Sequence, residues 1–64
     1  MNNIKVLRMR KGLSCNELGD VIGVRGGTVS AWENGYRNPE LGKAVRMADF
    51  FEVSLDFLLG RSSA

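Results

Sequence analysis

Gly19 and Gly23, four residues apart, set the tightest constraint on what this chain can fold into. Glycine turns a chain sharply at positive φ, and Gly23 stands where one helical pattern stops and another begins. Gly19 is small enough for a second helix to cross the first at close range. Around these two, Leu18, Ile22, Val24, Val29 and Trp32 are apolar at positions that point into the angle of such a crossing. The stretch from Cys15 to Asn34 therefore reads as two short helices meeting at a corner, with Val29 and Trp32 spaced i, i+3 on its inner side.

The flanking sequence continues in short helices. The first is expected from Asn3 to Lys11, with Ile4 and Leu7 on one face, Gly12 as its stop and Leu13 packing back over the end. Ser14-Cys15-Asn16-Glu17 has the spacing of a capping box, in which hydroxyl and carboxylate satisfy free backbone amides reciprocally. That opens the second helix, which runs to Ile22; the third spans Gly26 to Asn34 and closes at Gly35. After the polar loop Tyr36-Arg37-Asn38-Pro39, a fourth helix shows Leu41, Ala44, Val45, Ala48 and Phe51 at helical spacing. Val53 ends it, and Ser54 caps a last helix carrying Leu55 and Leu58. The pattern predicts an all-α, compact five-helix bundle in one domain over residues 1–60, with 61–64 as a flexible tail.

Composition narrows the function. With 64 residues there is room for a single core only, and no apolar run approaches the ~20 residues of a membrane span. The chain has no basic-then-apolar leader pattern, so a cytoplasmic location is expected, and a single cysteine, Cys15, fits a reducing compartment. Without histidine, one cysteine and scattered carboxylates make no metal-ligand spacing and no nucleophile–base pair. Neither enzyme, metal, cofactor nor small-molecule substrate is therefore expected. The net charge of +2 is modest, but Lys5, Arg8, Arg10 and Lys11 crowd the start while Asp49, Glu52 and Asp56 lie near the end. That asymmetry suits one face to an anionic partner, although solvated charged helices have the same composition.

Gly12-Leu13-Ser14, Glu17-Leu18, Ile22-Gly23-Val24, Thr28-Val29-Ser30, Glu33-Asn34-Gly35, Arg37-Asn38-Pro39 and Val53-Ser54-Leu55-Asp56 occur here in one order and spacing. In them the chain resembles the Cro/CI-type (XRE-family) helix-turn-helix domains from Ile4 to Leu59. The resemblance implies a lambda-repressor-like five-helix fold whose third helix enters the DNA major groove. It also implies a homodimer on a palindromic operator, acting as a phage or bacterial repressor. Half-sites would then lie about 34 Å apart, one turn of duplex. On this likeness, base reading falls to Arg25, Gly26, Gly27, Thr28, Ala31, Tyr36 and Arg37. Phosphate contacts fall to Arg8, Cys15, Ser30, Asn34 and Lys43, a structural ion pair to Arg8 and Glu33, and the dimer surface to Leu55, Phe57 and Leu59.

The chain departs from that family where it matters most. Cys15 replaces the common Gln at the start of helix two, and Gly26, Gly27 and Ala31 stand where polar base-facing side chains are usual. Either the backbone approaches the bases more closely, or readout shifts to neighbours and to DNA shape. Two other readings remain open: an antitoxin or restriction–modification controller, and a protein-interaction module that kept the fold and lost base reading. Individual residues also carry plainer readings. Trp32 is expected in the core, Phe50 and Phe51 in the core or an interface, and Phe57 exposed, where it could form a dimer patch. Cys15 is expected to be an inert small residue before a redox switch. Arg10, Lys11 and Lys43 are expected as solvated charges unless the salt dependence of binding says otherwise.

Overall fold

The computed structural model describes residues 1–61. Its elements are α1 (Ile4–Arg10), α2 (Cys15–Ile22), α3 (Gly26–Glu33), α4 (Leu41–Phe51) and α5 (Leu55–Leu58), with no strand among the described residues. The tail expected over 61–64 falls outside the described residues except for Arg61. That residue is exposed, with Nε 3.6 Å from Asp56 Oδ1.

Local chemistry accounts for most boundaries. Ser14 Oγ accepts the Glu17 N–H at 3.0 Å while Glu17 Oε1 accepts the Ser14 N–H at 2.8 Å, which closes the capping box at the head of α2. Gly23 ends α2 in the left-handed region at φ 92°, and its N–H and that of Val24 both donate to Gly19 O. Ser54 Oγ accepts the Phe57 N–H at 3.0 Å and starts α5. α4 stops differently. Glu52, at φ 57°, is the one non-glycine among the described residues with positive φ.

Ile4, Leu7, Leu18, Ile22, Val29, Trp32, Ala44, Met47, Ala48, Phe51 and Leu58 form one buried cluster fed by all five helices. Trp32 and Phe51 lie in it as expected, and Phe50 packs half-buried at its edge, with Lys11 Nζ 5.0 Å from the ring centroid. The inner face of α4 differs from the expected stripe. Leu41 and Val45 are 69% and 41% exposed, and Met47, not expected inside, is wholly buried. At ~100° per residue, Val45 stands about 100° round from Ala44 on one side, whereas Met47 stands about 60° round on the other, within about 40° of Phe51. Leu41 is the first residue of the helix, ahead of its contact with the core. Phe57 is also less exposed than expected. It is half-buried and packs against the core with Leu55 and Leu59, because a one-turn helix cannot keep a whole face clear.

Candidate nucleic-acid interface

Two glycines set how α3 stands on α2. A Cβ on Gly19 would collide with the Val24 carbonyl oxygen and lie 3.2 Å from Arg25 C and 3.3 Å from Gly26 N. A Cβ on Gly26 would collide with Asn16 Oδ1. The crossing is thus glycine on one helix and glycine on the other, near the first turn of α3. Val29 and Trp32 anchor the inward side of α3 in the core, which leaves the opposite side on the surface.

The exposed edge is lean. Arg25 is the N-cap residue of α3, extended at φ −80° and ψ 155°, and no side chain caps the helix. The first amides of α3 therefore keep the partial positive charge of a helix start. Gly27 is exposed with nothing within 4 Å of where a Cβ would stand. Gly26 differs from the expectation that it faces the bases. It is buried against Asn16, so its part is to let α3 sit close. Thr28, Ser30 and Ala31 are half-buried, and Arg25, Asn34, Tyr36 and Arg37 are exposed.

Thr28 and Arg37 come together on one open cleft between α3 and the following loop, lined also by Val24, Trp32, Asn38 and Glu40. Glu40 and Asn38 are not among the site residues expected from sequence; nothing in the spacing ties them to Thr28. Loop position is set by α3 itself, since the Tyr36 and Arg37 N–H groups both donate to Ala31 O, at 2.9 and 3.3 Å. Asn34 Nδ2 donates to Ser30 Oγ at 3.4 Å. Lys43 is half-buried in the first turn of α4, with Nζ 3.8 Å from the space a Gly23 Cβ would fill, which places its charge beside the α2–α3 turn.

Behind this edge Arg8 and Glu33 meet. Arg8 Nε donates to Glu33 Oε2 at 2.6 Å and Nη2 to Oε1 at 3.2 Å, while Nη1 donates to Leu13 O at 2.7 Å. The two side chains are only 12% and 6% exposed. The hydrogen bond to Glu33 raises the Arg8 guanidinium above its ordinary pKa, outweighing the opposing effect of burial. With all three nitrogens engaged inside the protein, Arg8 mainly ties α1 to the end of α3. Cys15 Sγ lies 3.9 and 4.0 Å from the Glu33 carboxylate oxygens, so the thiol turns inward to this pair. Residues 18 apart carried no sequence signal for that contact. Among the described residues no group of three His, Cys, Asp or Glu side chains is placed to hold a metal. Among the described residues no helix is long and apolar enough to cross a membrane.

A helix-turn-helix family model matches residues 4–58. The HTH-type transcriptional regulator AnsR of Bacillus subtilis (strain 168) is 34% identical over 61 residues, covering 95% of this chain and 53% of that protein. The HTH-type transcriptional regulator ImmR of the same strain is 26% identical over 58 residues, covering 91% and 46%. The chain thus spans about half the length of the curated relatives it matches. Among solved structures, a transcriptional regulator from Listeria innocua superposes with a TM-score of 0.86 at 27% identity, over 97% of this chain and 58% of that one. The P22 c2 repressor protein, crystallised with synthetic operator 9T, also gives 0.86, at 23% identity over 94% and 91%, a likeness of fold.

Proposed function

Because the chain belongs to the helix-turn-helix family of the XRE, Cro/CI-like type, we propose that it is a sequence-specific, DNA-binding transcriptional regulator in which α3 lies in the major groove. The observation that carries this reading is the outer edge of the corner. An uncapped helix start with Arg25 beside it, a cleft bearing Thr28 and Arg37, and Lys43 by the turn all lie around the outer side of an α3 whose other side is fixed in the core. Phosphate oxygens suit the free amides and the cations, which set register without reading sequence. Arg37, Thr28, Tyr36 and Arg25 are the side chains left to read base edges, and Ala31 can pack on a thymine methyl. The curated relatives are regulators by name, and a fold neighbour was crystallised on an operator.

The finer reading is a cytoplasmic repressor of phage or bacterial origin, working as a homodimer on a palindromic operator. Few base contacts come from one copy, so two-fold symmetry would supply the second set. Leu55, Phe57 and Leu59 are the candidate dimer residues, each with surface left over after packing on the core. A protein-interaction module on the same fold is favoured by one specific observation, the bare surface at Gly27.

Titration of a random-sequence duplex at two salt concentrations separates the two. On a random sequence, with no matched base edges to read, Arg25 and Arg37 fall back on phosphate beside Lys43, and three phosphates neutralised give a slope of log K against log salt of about −2.7 per chain. Absence of any salt-sensitive binding at low ionic strength would refute the DNA reading in favour of the module. Selection of bound duplexes from a random pool then tests specificity, half-site spacing and symmetry together.

A further inference from the structure

Asn2 and Asn3 precede α1 and take no part in the corner, yet their hydrogen bonds run to the ends of two other helices. Asn2 Nδ2 donates to Trp32 O, in the last turn of α3, at 2.8 Å. Asn3 Nδ2 donates to Phe57 O at 2.7 Å, and the Asn3 backbone N–H donates to Leu58 O at 2.9 Å, both at the end of α5. Trp32 O and Phe57 O each also accept one N–H from the turn that follows, from Gly35 at 3.3 Å and Gly60 at 3.1 Å, and a carbonyl's second lone pair stays open to a side-chain amide. Asn2 Oδ1 meanwhile accepts the Ile4 N–H at 3.1 Å and so satisfies the first turn of α1. Gly60 shows how closely this segment is held, since a Cβ there would collide with the Met1 carbonyl oxygen.

What hangs on the α3 end gives these bonds a consequence. The Tyr36 and Arg37 amides both depend on Ala31 O, and the Asn34 N–H donates to Ser30 O at 3.0 Å. If the last turn of α3 frays, the turn carrying Asn34, Tyr36 and Arg37 moves with it. Asn2 grips that last turn from outside and Asn3 fixes Asn2 to α5. We propose that Asn2 and Asn3 form a strap tying the exit of α3 to α5, and that Asn2 is a positioning residue for DNA binding. The proposal rests on the nucleic-acid reading above. It places a determinant of affinity in residues that touch no DNA.

The test compares the intact chain, Asn2→Ser and Asn3→Ser by anisotropy titration of a random-sequence duplex, at low salt and well below melting. Serine keeps an oxygen near the Ile4 N–H but loses the reach to Trp32 O. Asn2→Ser should bind roughly three- to tenfold more weakly, the loss of one net hydrogen bond. Amide exchange should quicken at Tyr36 and Arg37 and stay unchanged in α2. Asn3→Ser should show the same pattern more weakly. Ala48→Gly, a helix-weakening change away from the strap, should lower the melting temperature and leave duplex affinity alone. Equal affinities for Asn2→Ser and the intact chain would overturn the positioning role while leaving the DNA reading standing. Weakening by Ala48→Gly as large as by Asn2→Ser would overturn it too, as general loosening. Failure of the intact chain to bind would remove the DNA reading, and the strap's role with it.

Discussion

Replacing Gly19 by alanine tests the corner with a single methyl group. In an ordinary helix interior the change would stabilise by about 0.5–1 kcal/mol, because glycine gives up the most backbone freedom on folding. Here the new Cβ collides with Val24 O, and the atoms behind it, Arg25 C and Gly26 N, are backbone as well. No flexible side chain can swing away, so α3 must shift on α2. Overpacking of this kind costs about 1–3 kcal/mol, and more where backbone has to move. A domain of 64 residues holds roughly 3–10 kcal/mol in all, so the corner would be seriously weakened. The melting temperature, followed by far-UV circular dichroism, should fall by about 5–20 °C. Gly27→Ala supplies the control: nothing lies within 4 Å of that site, so its melting temperature should hold or rise. A Gly19→Ala protein melting at or above the unmodified chain would refute the close crossing, as would a Gly27→Ala protein equally damaged.

Other perturbations probe separate parts of the argument. Trp32→Ala empties a core position only 3% exposed and should cost about 3–5 kcal/mol, read as lost cooperativity in urea unfolding. Glu33→Ala strands the Arg8 guanidinium with only the Leu13 carbonyl and should cost about 2–4 kcal/mol. Since the Arg8 pKa is raised on folding, what the guanidinium contributes is fully present at neutral pH and fades only in strong alkali. The Glu33→Ala penalty should therefore be the same at neutral and mildly alkaline pH; a penalty that vanished between them would contradict the ion pair as its source. Arg25→Ala leaves the core untouched and should weaken duplex binding with an unchanged melt, so equal affinity in a gel-shift titration would remove Arg25 from the interface.

Features written in neighbouring residues are legible in the sequence alone. The Ser14–Glu17 box, the Gly12 and Gly23 stops and the Ser54 cap each involve atoms a few residues apart, and the boundaries expected from them match the observed ones to within one residue. Which way a helix faces is a longer-range property. α4 offered two overlapping apolar stripes, and its docking against α2 and α5 chose the one holding Met47 over the one holding Val45. At the interface, sequence marked Gly26 and Gly27 as one departure. The structure separates them, because Asn16 closes off one and solvent surrounds the other. The Asn2–Trp32 and Asn3–Phe57 bonds join residues 30 and 54 apart, and no local pattern announces them.

Glu52 offers a practical foothold. A side chain in the left-handed region costs about 1–2 kcal/mol, so Glu52→Gly should relieve most of that and raise the melting temperature. It sits at the far end of α4 from Lys43, so the change should leave duplex affinity where it was. An unshifted melt would mean the strain is met by something other than the backbone. A hardened parent of this sort would let the gentler replacements, Asn2→Ser among them, be compared in chains that all stay folded on the bench.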